Sequence, residues 1–283
     1  EIGPYILNAY ARSVWVTAMS AVDLDELSGG RLVLGVGSGN KHINEDWQGI
    51  PQERPIRKME EYIALLRKAV STPAGESLEW EGQMHKMHWS PAVDPFRQVI
   101  PVYLAALYPQ MTAVAGRVAD GLALGALLSA DYIRTEIKPR FETAANAAGR
   151  DPANLGVYLA PFVSIADDAD VARRAARLAI CHLYAPLPHP YYDHVLREQG
   201  FSDEADACLH HVPEGRLELA ADAISDDLLD AVTISGSLAD CQKQLSRFEG
   251  IVDQVLMVNV GYGGASKSSL LNGYRDLIRL ASR

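Results

Sequence analysis

Short uninterrupted apolar runs alternate along this chain with longer stretches whose apolar residues recur every three or four positions. Leu32, Val33 and Leu34, continuing into Val36, alternate too little for a half-exposed strand. They read as a strand buried on both faces, as a parallel sheet covered by helices requires. Further strands are expected at 2–8, 102–106, 122–126, 156–163 and 255–260. The first intervening helix is expected over 13–27, with Val14, Ala18, Ala21, Val22 and Leu24 spaced for burial, and Ser28-Gly29-Gly30 stops it. A long amphipathic helix opens at Pro55 and carries Ile56, Met59, Ile63 and Leu66 on one face. Others are expected from Gln110, over 130–149, and over 266–281, the last with Leu270, Leu271, Tyr274, Leu277 and Ile278 inward. This rhythm favours one α/β domain over residues 1–283.

Two segments depart from the rhythm. Residues 75–90 alternate like a β-hairpin, Leu78, Trp80, Met84 and Met87 against Glu79, Glu81 and Lys86. Within it His85, His88 and Trp89 read as cross-strand packing, a metal or stacking site being the alternative. Residues 167–232 are mostly helical, polar on one side and interrupted by Pro186, Pro188 and Pro190. Their histidines, His182, His189, His194, His210 and His211, follow no HExxH-like spacing, and no metal site is expected.

Candidate chemistry gathers where the strand at 31–36 ends. It breaks into Gly35, Gly37, Ser38, Gly39 and Asn40, a small-residue loop where backbone can approach a ligand closely, or simply a tight strand-to-loop turn. The polar loop that follows carries His42 and Glu45, the candidate proton donors or acceptors; solvation of His42 and a first-turn helical position for Glu45 are the plain alternatives. The helix beginning near Gln110 opens with free backbone amides, which favour an anion. No G-x-S-x-G elbow and no G-x-x-x-x-G-K-[ST] loop occurs, and Gly35-x-Gly37-x-Gly39 is not the dinucleotide fingerprint.

Composition narrows the class. The 283 residues are 48% hydrophobic, enough for a full core, and the formal net charge of −10 disfavours a nucleic-acid partner. Cys181, Cys208 and Cys241 are odd in number and widely spaced, so neither a disulfide framework nor a zinc site follows. No apolar run approaches the about 20 residues that a membrane span needs, and no signal segment is seen, so a cytoplasmic protein without a membrane partner is expected.

The run L-S-G-G-R-L-V-L-G-V-G-S-G-N, followed by E-R-P and a helix, resembles the fourth strand and helix of the bacterial luciferase-like flavin and deazaflavin oxidoreductases. A second run, P-V-Y-L-A-A at 101–106 through A-G-R-V-A-D-G at 115–121, resembles the fifth strand and helix. The resemblance implies a TIM (β/α)8-type barrel whose first two βα units precede Glu1, hence an N-terminally truncated chain or a barrel completed otherwise. It implies a hairpin excursion at 75–90 and a helical insertion at 167–232 serving as lid or substrate wall. It places Ser38, Gly39 and Asn40 against the coenzyme's ring and side chain, with Asn44 on the ribityl-phosphate region. Pro4, Tyr5 and Ile6 would lie at a bulge behind the ring, barrel core being the alternative for Tyr5 and Ile6. Leu107, Tyr108 and Pro109 stand where the family holds the phosphate, usually with Gly-Gly in place of Leu107-Tyr108, and Gly125 and Ala126 would form the next wall. Asn40, His42 and Glu45 are the implied catalytic set. The second run is closer to the deazaflavin branch, so coenzyme F420 and hydride transfer to an organic substrate are expected. FMN with a monooxygenase reaction is one alternative, and a cofactor-free binding protein another. Self-association as a homodimer, through helices flanking the fourth strand, is implied as well.

Overall fold

The computed structural model describes residues 1–184, 190–260 and 267–282. Its elements run β1 (Leu7–Asn8), α1 (Val14–Leu27), β2 (Leu34–Gly37), α2 (Pro55–Ser71), β3 (Leu78–Glu81), β4 (Lys86–Trp89), β5 (Val102–Ala105), α3 (Pro109–Val118) and β6 (Gly121–Leu124). They continue with α4 (Ala130–Tyr132), α5 (Lys138–Ala147), β7 (Gly156–Leu159), β8 (Phe162–Ile165), α6 (Ala169–His182), α7 (Pro190–Glu198), α8 (Ser202–His211), α9 (Leu217–Asp222) and α10 (Asp226–Val232). The last are β9 (Thr233–Gly236), α11 (Leu238–Leu245), β10 (Gln254–Val255), β11 (Val258–Asn259) and α12 (Lys267–Ala281). The chain forms two compact units, residues 1–123 with 139–157, and residues 124–138 with 158–283.

In the first unit β1, β2, β5 and β6 lie side by side, all parallel, with Leu7 opposite Val36, Val36 opposite Leu104, and Leu104 opposite Leu122. Parallel neighbours end on the same edge, so the chain leaves β2 at Gly37 and β5 at Ala105 on one side. The strand residues are buried on both faces, which is why their sequences do not alternate. Pro55 opens α2, and Met59, Tyr62, Ile63 and Leu66 are fully buried along it. Helix α1 turns differently from the apolar spacing alone: Thr17 and Asp25 face inward, and Leu24 is half exposed. The reason is polar, because Thr17 Oγ1 meets the Tyr62 hydroxyl at 2.6 Å while Asp25 accepts from Arg97 Nε at 2.8 Å.

The hairpin β3–β4 pairs Leu78 with Trp89 and Glu81 with Lys86, and it is pinned to α2 through Glu61. This buried carboxylate accepts from Gln83 N at 3.0 Å, Met84 N at 2.8 Å, His85 N at 3.2 Å and Arg57 Nε at 2.9 Å. Burial drives its pKa up, but the three amides and Arg57 outweigh that and hold it below the ordinary carboxylate value. His85 packs edge-on against Tyr62, ring centres 5.6 Å apart, and burial lowers it to about 4, so the imidazole is neutral at pH 7. His88 bonds Glu81 at 2.9 Å across the hairpin. Both histidines therefore serve packing and pairing.

In the second unit β7 and β8 are one strand interrupted at Ala160-Pro161. β7 pairs with β10, and β8 with β11 on one side and β9 on the other, all parallel. Helices α6 to α10 fill 169–232 around a core of Ala176, Ile180, Leu196, Cys208 and Leu228. Before α5 a π turn covers Ile133–Ile137, where Pro139 removes the amide that an α-helical bond would use. Ser237 and Asp240 cap α11 reciprocally. Helix α12 buries Leu277 and Leu280 and leaves Leu271, Tyr274 and Ile278 exposed, unlike the expected face. Its register is set by Gly273, where a Cβ would come within 2.5 Å of Asn259 Nδ2. The expected positions at Pro186, Pro188, His189 and Gly261-Tyr262-Gly263-Gly264, and the Leu270 side chain, lie outside the described residues. Among the described residues no helix is long and apolar enough to cross a membrane, and no three His, Cys, Asp or Glu converge as a metal site.

Glu61 gives the fold a testable pH dependence. Its depressed pKa means that its contribution is complete above the ordinary value of 4.5 and is lost as pH falls through the lower folded value. Glu61→Gln is expected to cost roughly 1–3 kcal/mol near neutral pH in urea unfolding. The gap from the parent should narrow steadily as the pH falls below the ordinary value of 4.5, and a gap independent of pH would contradict the assignment.

Candidate functional site

The carboxyl edge of β1 and β2 is shaped by a mismatch in length. Ile2 pairs with Leu32 and Leu7 with Val36, so five steps on the first strand oppose four on the second. One residue is in excess, and the segment Pro4-Tyr5-Ile6 bulges, with a cis peptide between Tyr5 and Ile6. Gly35 N still reaches Pro4 O at 3.1 Å, but Tyr5 and Ile6 are 39% and 36% exposed, high for apolar side chains beside a central sheet. A bulge is thus present where one was expected.

The glycines beneath it are required by contact. A Cβ on Gly37 would lie 2.3 Å from Ile6 Cδ1 and 3.0 Å from Ala105 Cβ, so the Ile6 side chain lies close over two small strand ends. Gly39 adopts φ +66°, and a Cβ there would meet the Asn8 carboxamide at 2.5 Å. The tight strand-to-loop geometry anticipated as the plain alternative for this loop is present, and its own protein neighbours account for it.

The loop after β2 is held by side-chain amides. Asn8 Nδ2 donates to Asn44 Oδ1 at 2.6 Å, and Asn44 Nδ2 donates to Ser38 O at 2.8 Å. Gln52 Nε2 donates to Ser38 O at 3.0 Å and Gly39 O at 3.1 Å, while its own N–H donates to Glu45 Oε1 at 3.1 Å. Asn44 is fully buried. Where a role on a ribityl-phosphate was expected, both ends of its amide are engaged inside the protein, and it braces the loop. Glu45 is likewise engaged, with Gln52 N and with Lys41 at 3.7 Å. Asn40 Oδ1 accepts from His42 N at 3.2 Å. Ser38, Gly39 and Asn40 remain half-buried at the strand end. Asn8 and Gln52 were not legible as site residues, because their partners lie 36 and 13 or 14 positions away and no motif announces them.

His42 opens a short π turn, Ile43–Trp47. Its Nδ1 contacts the Asp46 carboxylate, and its ring stands edge-on to Trp47, centres 5.5 Å apart at 71°. Its Nε2 is shielded from water and has no partner among the described residues.

At the end of β5, Leu107 and Tyr108 are half-buried and Pro109 is exposed at the first position of α3. Tyr108 is the N-cap residue of this helix, and its carbonyl takes Thr112 N at 3.0 Å. Gly125 and Ala126 follow β6 in the second unit. A Cβ on Gly125 would meet nothing within 4 Å, whereas Ala126 packs into that unit's helical core and so offers a ligand little side-chain surface.

A family model described as luciferase-like monooxygenase matches residues 1–254. The 5,10-methylenetetrahydromethanopterin reductase of Methanolobus tindarius is 31% identical over 248 residues, covering 87% of this chain and 73% of that protein. The solved coenzyme F420-dependent tetrahydromethanopterin reductase of Methanopyrus kandleri superposes with a TM-score of 0.79 at 24% identity, over 99% of this chain and 83% of that one. An F420-dependent secondary alcohol dehydrogenase, solved with an F420-acetone adduct, gives 0.71 at 18% identity, over 92% and 73%. The likeness to these structures is one of fold, the TIM-type α/β barrel of the luciferase-like enzymes.

The amide clasp can be tested by a double-mutant cycle. Asn44→Ala is expected to destabilise by about 1–3 kcal/mol, because it removes a buried amide and leaves half-buried groups on Asn8 and Ser38 without it. Combined with Asn8→Ala it should cost less than the sum, with a coupling on the order of 1 kcal/mol in urea unfolding, and strict additivity would mean that the clasp is not formed.

Proposed function

The chain belongs to the luciferase-like monooxygenase family, and from that membership we propose that it is an oxidoreductase that binds coenzyme F420 and passes a hydride between it and an organic substrate. The observation that carries the reading is the exposed bulge of Tyr5 and Ile6 beside the ends of β2 and β5. Large apolar side chains left exposed at the carboxyl ends of parallel strands suit a flat, largely apolar ring, and ligands of barrels of this type bind at that edge. The bound coenzyme supplies the hydride chemistry; the protein has to hold, orient and dry it.

The residues divide that work. Pro4, Tyr5 and Ile6 back the ring, and Ser38, Gly39 and Asn40 border it. The amides that open α3, at Gln110 and Met111, accept a phosphate in the manner of any helix N-terminus, with Leu107, Tyr108 and Pro109 controlling access. Asn8, Asn44 and Gln52 keep the loop from rearranging when the coenzyme arrives or leaves, which lowers the ordering cost of binding. The exposed Trp15, Leu24 and Leu27 on α1 suit a second copy of the chain.

Fluorescence titration separates this reading from its competitors. Coenzyme F420 should bind at least about tenfold, or ~1.4 kcal/mol, more tightly than FMN. Ile6→Glu should weaken it by a similar factor while the fold is retained by circular dichroism. Preference for FMN would make the protein a flavin enzyme of the same family, and binding of neither would point to a cofactor-free relative.

A further inference from the structure

We propose that Cys181 and Cys208 form a redox-sensitive pair, a dithiol that a peroxide closes into a disulfide tying α6 to α8 and that a dithiol reductant reopens. The proposal concerns the helical segment of the second unit and is independent of the coenzyme reading. Spacing along the chain does not announce the pair, because 27 positions separate the two residues. Helix α6 carries Cys181 in its last turn, α8 carries Cys208, and the fold brings their sulfurs to 3.9 Å. Both cysteines are free and fully buried, among Ala176, Ile180, Tyr184 and Leu196. Cys241 is the contrast. It is equally buried, but its sulfur faces the carbonyl oxygens of Ser164 at 3.8 Å and Gly236 at 3.9 Å, an ordinary resting place for a core thiol.

Geometry sets what the pair can do. A disulfide holds its sulfurs about 2.0 Å apart, so the two must approach by roughly 2 Å, through side-chain rotation and a small helix adjustment. Among the described residues no third His, Cys, Asp or Glu joins them, which leaves zinc without its four ligands. The neighbouring Cys208 sulfur and burial push the Cys181 thiol well above its ordinary value, and the thiolate is the form that attacks an oxidant. The closed protein therefore shields the pair, and oxidation proceeds when the helical segment opens locally. The bond formed on reclosing encloses α7 in the loop and fixes α6 to α8, so the pair registers opening of this segment under peroxide.

The chemistry balances with one molecule of peroxide. One thiolate attacks a peroxide oxygen; the S–O bond forms, the O–O bond breaks and hydroxide leaves. The second thiolate attacks that sulfur; the S–S bond forms, the S–O bond breaks and a second hydroxide leaves. The two protons given up by the thiols turn both hydroxides into water. Together the sulfurs lose two electrons and the peroxide gains two. Exchange with a dithiol such as dithiothreitol returns the pair to thiols and oxidises the reagent to its own disulfide.

The test uses the full chain, reduced, desalted and kept folded, exposed to hydrogen peroxide and only then unfolded and alkylated. Of the three thiols, that of Cys241 alone should remain alkylatable. Peptide mass spectra should show Cys181 joined to Cys208 at about 2 Da below the reduced pair, and dithiothreitol should restore all the thiols. Sub-denaturing urea should speed closure severalfold, as opening requires. The oxidised protein should melt roughly 5 °C above the reduced one. Cys208→Ser should show neither the link nor the rise, and Cys241→Ser should show both. Intact thiols after oxidation, separate sulfinic acids on the two sulfurs, or a link through Cys241 would overturn the pairing. A rate indifferent to urea would overturn the need for opening, and a link that leaves the melting temperature unchanged would overturn its hold on the helices. The parent's linked peptide decides the pairing even where a variant does not fold.

Discussion

One surplus residue between Ile2 and Leu7 governs the candidate site. Parallel strands in register would carry their side chains past one another into the core, and the end of β2 would close over. The extra residue instead throws Pro4, Tyr5 and Ile6 out of register, and everything beneath has to be small to let them sit there. Gly37 and Ala105 meet that demand directly. The chain beyond β2 then turns away through Gly39, in the left-handed conformation, because Asn8 occupies the space that any side chain at that position would need. Three glycines within five residues are thus set by two neighbours, a bulge and a carboxamide.

That dependence explains why the outline of the fold was legible and the site only partly so. Burial on both faces produces unbroken apolar runs, and helices advertise their inward stripe. Strands at 34–37, 102–105 and 121–124 and the long helix from Pro55 therefore emerge from local pattern alone. Helix faces set by polar pairs do not. Leu24 looked inward by spacing, yet Asp25 takes the buried side because Arg97, 72 positions away, neutralises it. The loop residues follow the same logic: Asn44 has the composition of a ligand-binding residue, and only the distance to Asn8 shows that its amide is already committed. Long-range polar partners carry no periodicity, so a local reading assigns them to whatever ligand the family suggests.

Buried carboxylates recur as the device that joins separate segments. Asp25 ties α1 to the chain near Leu32 and Arg97, and Glu61 ties α2 to the turn of the hairpin. In each case the acceptor is saturated by backbone amides or a guanidinium, the condition under which an ionised group survives burial. Their effect is to hold α1 and α2 to segments far along the chain, Leu32 and Arg97 for Asp25 and the hairpin turn for Glu61.

The clasp works without charge. Asn8, at the end of β1, reaches Asn44 across 36 positions, and Asn44 and Gln52 both donate to Ser38 O, so the loop after β2 is tied to its neighbouring strand and to its own start by neutral amides. A hydride-transferring coenzyme asks little of the protein beyond placement.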